Sequence, residues 1–348
     1  MVDQAAAPTA EEIAARSGAE RVLLIISRLR EFGILVALGA VVVVVTLLTP
    51  DFLNLDNFTQ ILLSISLIAI AAVGETVVVL TRNVDLSVGS MVGLVAFVTG
   101  DLMKQHVLGV PEAVLAGCAV GLGLGAFNGL VVTVGRVPAI VATLGTLNVY
   151  RGIDFFVAGG KEINAIDVPR GYLDIASTTI FGIPILIVCA AVAAAVVGYL
   201  LRYSRTGRSL YAIGSNPAAA ETVGIPSQRL VFGAFLVSGL LCGVAGVLWG
   251  SRYGTINSNA AGGQSPLELE VIAAVVVGGV NIFGGSGTVF GAMLGAILLG
   301  TIDNSLTLLR LSQFWLKAID GAVILLAVGV DATIRGYVQR ILQVRRRR

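Results

Sequence analysis

Glu75, Asp85, Asp303 and Asp320 are the acidic side chains that fall inside long apolar runs or near their ends. Carboxylates in such places can pass protons or coupling ions across a bilayer, and ion-driven carriers depend on them. Four is a thin supply for that chemistry. Asp85, followed by Ser87, has a second use as the cap of a helix beginning at Leu86. Hydrolytic chemistry has less to work with. The sequence holds neither G-x-x-x-x-G-K-[ST] nor H-E-x-x-H. Its single histidine, His106, sits in a short loop without a second His or Cys nearby, and no histidine is placed to serve a serine triad. Cys118, Cys189 and Cys242 lie within apolar runs, are odd in number and match no paired motif, which reads as core thiols. No catalytic residue and no metal site are expected, and ATP would have to be bound elsewhere.

The elements around these residues are membrane spans. Of 348 residues, 56% are hydrophobic and 13% charged, against roughly 25% charged in soluble domains. The composition predicts an all-α polytopic membrane protein of about ten transmembrane helices with both termini cytoplasmic. The spans are Phe32–Thr49, Ile61–Leu80, Leu86–Gly100, Ala113–Gly135, one beginning at Val137–Tyr150, Ile180–Leu201, Leu230–Gly250, two within Val271–Ile302, and Trp315–Ile334. Val271–Ile302 is too long for one crossing and divides at its interior GGVNIFGGSG. Residues 1–31 lack the pattern of a signal peptide and form a cytoplasmic segment, with Val22–Leu29 suited to the interface. Residues 32–335 form the membrane domain and 336–348 a basic tail. This assignment places 16 of the 23 Lys and Arg on the cytoplasmic side, as the positive-inside rule requires. The 43 glycines suit close helix packing in lipid.

The longest polar interruption of the C-terminal half, Leu201 to Gln228, has Arg202, Arg205 and Arg208 at its start and Arg229 just beyond it. Within this cytoplasmic loop (202–229), Asn216 is a good N-cap, Pro217 suits the first helical position and Ala218–Val223 favour helix. Gly224 supplies a left-handed stop and Pro226 prevents resumption. A helix of about two turns is unstable alone and suits a groove on a partner. A plain basic loop is the alternative. There is also an internal echo: VVVLTRNVDLSVGSMVG from Val77 resembles VVVGGVNIFGGSGTVFG from Val275, placing Asn83 over Asn281 and Gly89 over Gly287. Duplication and chance similarity explain it equally well.

Four segments carry a wider likeness: NVDLSVGSM (83–91), FNGLVVTVGRVPAIVATLGTLNVYRG (127–152), GRSLYAIGSNPAAAETVGI (207–225) and ELEVIAAVVVGGVNIFGGSGTVFGAMLG (268–295). They resemble, in collinear order over about residues 32–335, the permease subunits of ribose/xylose/rhamnose-type ABC importers. The resemblance implies two paired permeases (copies or paralogues), two copies of an ATPase carrying Mg-ATP, a periplasmic or lipid-anchored sugar-binding protein, and a place in the bacterial inner membrane. Ala219, Ala220 and Gly224 fall on the A, A and G of the family's EAA---G loop; the acidic first position is Ala218 here. Tyr211 to Gly224 then becomes the helix that couples to the ATPase, with Arg208 and Glu221 flanking it.

For a neutral sugar, the pathway should offer amides and hydroxyls. Asn83, Asn128, Thr143, Thr146, Asn148, Asn281 and Asn304 are candidates, each equally suited to packing between helices. Gly278, Gly279, Gly284, Gly285 and Gly287 suit a tight turn. Arg151, Asp154, Lys161 and Glu162 are candidates for docking the binding protein. The expected cargo is a pentose or deoxyhexose, with polyols and autoinducer-2 as alternatives. A branched-chain amino acid permease and an ion-coupled carrier are the rival functions, and a membrane enzyme is a third.

Overall fold

The computed structural model describes residues 32–257 and 266–310, together with Trp315, Ala318, Gly321, Ala322 and Leu325. The expected N-terminal segment, most of the last span with Lys317, Asp320 and Asp331, and the basic tail lie outside the described residues.

The described chain is almost wholly helical. Helix α1 (Phe32–Leu48) leads through a 3-10 turn at Pro50–Leu53 to α2 (Leu55–Leu80), then α3 (Val88–Lys104), α4 (Val110–Thr133) and α5 (Ala139–Ala158). A short α6 (Arg170–Ser177) and a two-residue hairpin, β1 (Thr179–Ile180) against β2 (Ile183–Pro184), precede α7 (Ile185–Tyr203). Then come α8 (Arg205–Ser215), α9 (Pro217–Thr222), α10 (Ser227–Tyr253), α11 (Leu267–Val277) and α12 (Val289–Leu308). Six of these, α2, α4, α5, α7, α10 and α12, are long and apolar enough to cross a membrane. The fold is that of an all-α polytopic membrane protein.

Helix α2 is the axis of the bundle. It packs against α7, α10, α11 and α12, and residues such as Ile70, Ala71, Ala72 and Val73 are wholly buried. An apolar helix buried on every side belongs at the centre of a membrane bundle. Helices α4 and α10 approach each other through glycine. Gly117, Gly121, Gly125 and Gly129 recur every fourth residue and so share one face of α4. A Cβ on Gly121 would lie 2.7 Å from Gly243 Cα, and one on Gly239 would lie 2.8 Å from Gly125 Cα. Where lipid removes the hydrophobic drive, such backbone approach is what holds helices together.

Several expected boundaries move. Asn54 accepts from the Asp56 N–H at 3.1 Å and starts α2 at Leu55, so the acidic DFLNLD is partly helical. Helix α5 runs on to Ala158, carrying Arg151 and Asp154 inside it, where the sequence predicts a polar loop from Arg151. A charge ends an apolar run in sequence but need not end a helix whose polar side chain finds a partner. The break inside Val271–Ile302 falls in GGVNIFGGSG as expected, but α11 has 11 residues and a length of about 16 Å. It is a half-helix, short of the roughly 30 Å hydrocarbon core.

The two segments of the internal echo are both helix–break–helix. Residues 81–87 separate α2 from α3, and residues 278–288 separate α11 from α12. The breaks touch, since the Gly285 N–H donates to the Leu80 carbonyl at 3.0 Å. Asn83 and Asn281, matched in the echo, play matching parts. Asn83 Nδ2 donates to the Thr81 carbonyl at 3.1 Å, and Asn281 Nδ2 donates to the Gly284 carbonyl at 2.8 Å.

Candidate functional site

Local chemistry defines α9 at both ends. Asn216 Oδ1 accepts from the Ala219 N–H at 3.1 Å, and Pro217 takes the first helical position. At the far end Gly224 has φ +78°, its N–H donates to the Glu221 carbonyl at 3.0 Å, and the Ile225 N–H donates to the Ala220 carbonyl at 3.0 Å. This paired closure is a Schellman motif, which needs a residue at ease in the left-handed region. Of α9 only Ala220 is buried, and Ala218, Ala219, Glu221 and Thr222 face outward. Val223 follows with 74% of its surface exposed. Losing one N-cap hydrogen bond destabilises a helix by about 1 kcal/mol, a population shift of about five-fold. Asn216→Ala is therefore expected to lower the population of formed α9 by about that factor, measured as faster amide hydrogen exchange in residues 219–222 than in the same protein with Asn216→Asp, which retains a cap.

The loop is not held away from the body, because half of it is a second helix that the sequence does not announce. Ser204 caps α8 by accepting from the Gly207 N–H at 2.9 Å. Gly214 abuts the Leu80 carbonyl and Gly285, and Tyr211 donates to the Gly287 carbonyl at 2.9 Å. Helix α8 thus rests on both breaks at once. Arg208 is exposed and donates to the Tyr203 carbonyl at 3.1 Å. Beside α9, Pro217 and Glu221 wall a cleft of about 460 Å³ whose other sides include Arg82, Asn83, Arg136 and Gln228.

A buried polar network sits above the first break. The Asp85 N–H donates to Glu75 Oε1 at 3.0 Å. Asp85 Oδ1 accepts from the Ser87 N–H at 2.9 Å and from its hydroxyl at 2.6 Å. Asp85 therefore caps the turn before α3, which begins at Val88 and not at Leu86. Asn128 Nδ2 donates to Ser87 Oγ at 2.8 Å and Asp85 Oδ2 at 3.2 Å, and the Tyr150 hydroxyl lies 3.0 Å from Asn128 Oδ1. Thr143 donates to the Val84 carbonyl at 3.1 Å. This network pins the break between α4 and α5. Glu75→Leu strips the Asp85 N–H of its acceptor, and an orphaned buried donor costs about 1–3 kcal/mol. Thermal denaturation in detergent should show that loss for Glu75→Leu and a much smaller one for Glu75→Gln, which keeps the acceptor oxygen.

The remaining sequence candidates separate in space. Asn128, Thr143 and Thr146 are buried within the bundle, and Asn304 Nδ2 donates to Asn57 Oδ1 at 2.9 Å, tying α12 to α2. Of the seven pathway candidates only Asn148 is exposed, on an open face of α5. Of the four docking candidates, Lys161 and Glu162 are exposed beyond the end of α5, while Asp154 is 3% exposed. Arg151 Nη2 lies 3.1 Å from Glu268 Oε1. Neither Arg151 nor Asp154 stands on an exposed loop, because both belong to the last two turns of α5. Nearby, the Asn164 N–H and the Lys104 ammonium, 3.0 and 2.9 Å from Asp167 Oδ2, hold that carboxyl below the usual range.

Comparison with known proteins agrees with this arrangement. Residues 57–328 match the family model described as branched-chain amino acid transport system / permease component. The chain belongs to this permease family. The permease is 39% identical to the autoinducer 2 import system permease protein LsrC of Yersinia enterocolitica over 314 residues, 89% of this chain and 85% of that one. It is 36% identical to the LsrC of Yersinia pseudotuberculosis over 89% of this chain and 87% of that one. No solved structure matches it. The permease is a transport component of an ABC importer, not an enzyme, and a multi-pass protein of the bacterial inner membrane. Glu268 is the polar residue that sequence reading passed over; its signal is an acid one residue into an apolar helix.

Proposed function

We propose that this chain forms the membrane pathway of an ABC importer for a small neutral polyol, with autoinducer-2 as its cargo. The observation that carries this reading is its similarity to autoinducer 2 import permeases over nearly the whole of both chains. That moves the cargo away from the pentose or deoxyhexose expected from sequence. Two copies, or this chain and a paralogue, pair in the membrane with about ten spans each and both termini cytoplasmic. A separate ATPase receives α9, with Asn216, Pro217, Ala219, Ala220, Glu221 and Gly224 shaping it and Arg208 and Tyr211 holding α8 behind it. Because α8 rests on both breaks, closure of the ATPase pair would move the ends of α2, α3, α11 and α12 together. A binding protein docks at the opposite end, where Lys161 and Glu162 are exposed. The open face of α5, bearing Asn148 between Gly145 and Gly152, lines the pathway, since an exposed amide is costly against lipid.

Mechanistically, this chain contributes shape and hydrogen bonding, and the ATPase contributes the free energy. ATP hydrolysis by the importer in liposomes is expected to rise severalfold with autoinducer-2-loaded binding protein and not with a leucine-loaded one. Stimulation by leucine alone would favour the branched-chain amino acid reading that the family description suggests.

A further inference from the structure

Helix geometry places the Arg151–Glu268 pair within the span of the helix bundle and away from its ends. Arg151 lies twelve residues into α5, a rise of about 18 Å. Glu268 lies nine residues above the end of α11, a rise of about 14 Å. Both helices are counted from the end of the bundle that carries α8 and the breaks, so the pair sits part-way along the span of the bundle, inside the length of a hydrocarbon core of roughly 30 Å. A guanidinium and a carboxylate at that depth are costly and mark a functional position.

The pair leaves capacity unused. Glu268 Oε1 is taken by Arg151, but Glu268 Oε2 is buried with no hydrogen-bond partner, and the side chain is 7% exposed. Asp154, one turn along α5 and near enough to interact with the Arg151 charge, also keeps a buried oxygen, Oδ1, without a partner. Glu268 reaches to Gly89 in the first turn of α3, where any Cβ would collide with it. The Arg151 side chain is 29% exposed and borders the open face of α5, where nothing lies within 4 Å of a Cβ on Gly145 or Gly152. A guanidinium paired with Glu268, with Asp154 one turn along the same helix, sets two carboxylates with a spare acceptor each beside one cation, a set of groups suited to vicinal hydroxyls. Each hydroxyl donates to a carboxylate oxygen and can accept from the guanidinium.

We propose that Arg151, Glu268 and Asp154 form the cargo-contacting site of the pathway, taking adjacent hydroxyl groups of a small polyol within the span of the bundle. This rests on the importer reading above and names the site within it. The cargo supplies donors to Glu268 Oε2 and Asp154 Oδ1, and it carries no charge of its own to hold it there.

The test uses the complete importer in liposomes, with labelled autoinducer-2 as probe and ATP on the ATPase side. Glu268→Gln and Asp154→Asn preserve shape and should each cut uptake at least ten-fold. A merely structural ion pair would behave differently, because the exchanged pair Arg151→Glu with Glu268→Arg would restore uptake. Restoration by that exchange, or unchanged uptake in both single variants, overturns the proposal. Should one variant misfold, as judged by gel filtration, the other still decides. If the parent shows no ATP-dependent uptake, the importer reading fails and takes the site with it; a parent that transports while the variants match it removes the site alone.

Discussion

Gly224→Pro is expected to abolish uptake while the protein still inserts and purifies as a monodisperse species. Gly224 has φ +78°, whereas proline is confined to about −65°. Proline also lacks the N–H that donates to the Glu221 carbonyl. The closure of α9 is lost at a cost of about 3 kcal/mol or more, which reduces the formed helix by about 100-fold. Nothing lies within 4 Å of a Cβ at this glycine, so the damage is conformational and stays within the loop. Gly224→Ala then bears only the left-handed penalty of about 1–2 kcal/mol and should keep measurable transport. Gly224→Asn should keep more, since asparagine tolerates that region. The graded series Asn, Ala, Pro is read as cargo-stimulated ATP hydrolysis. Equal activity in all three would remove α9 from the coupling path.

The second large effect belongs to packing. A Cβ on Gly125 would lie 2.9 Å from Gly239 Cα and would press on the Phe235 carbonyl. Backbone cannot yield there as a flexible side chain would, so a leucine forces α4 and α10 apart. The cost exceeds the usual 1–3 kcal/mol of overpacking, because the whole glycine face is lifted from its partner. Gly125→Leu should give no monodisperse protein by fluorescence-detected gel filtration. Gly123→Leu, two residues away, should be indistinguishable from the parent, since a Cβ there meets nothing within 4 Å.

Local signals in this sequence are legible, and distant ones are not. The cap at Asn216, the stop at Gly224 and the break inside Val271–Ile302 are written within a few residues each, and they form as expected. Helix α8 escapes notice because RTGRSLYAIGS is polar and glycine-bearing, and its stability comes from resting on Leu80, Gly285 and Gly287, far away in sequence. Arg151 looks like the start of a loop for the same reason. Its partner Glu268 is 117 residues distant, and no local pattern joins the two. The glycine face of α4 is a four-residue spacing that a glycine count alone does not single out, and its partner face on α10 needed the fold.

This permease is expected to move its cargo by ATP hydrolysis on a partner chain. The most direct measurement encloses ATP in liposomes bearing the complete importer and follows labelled autoinducer-2 entering from a binding protein outside. Accumulation should require hydrolysable ATP and the binding protein, and it should be lost in Gly224→Pro. Accumulation driven by a proton or sodium gradient without ATP would contradict the account.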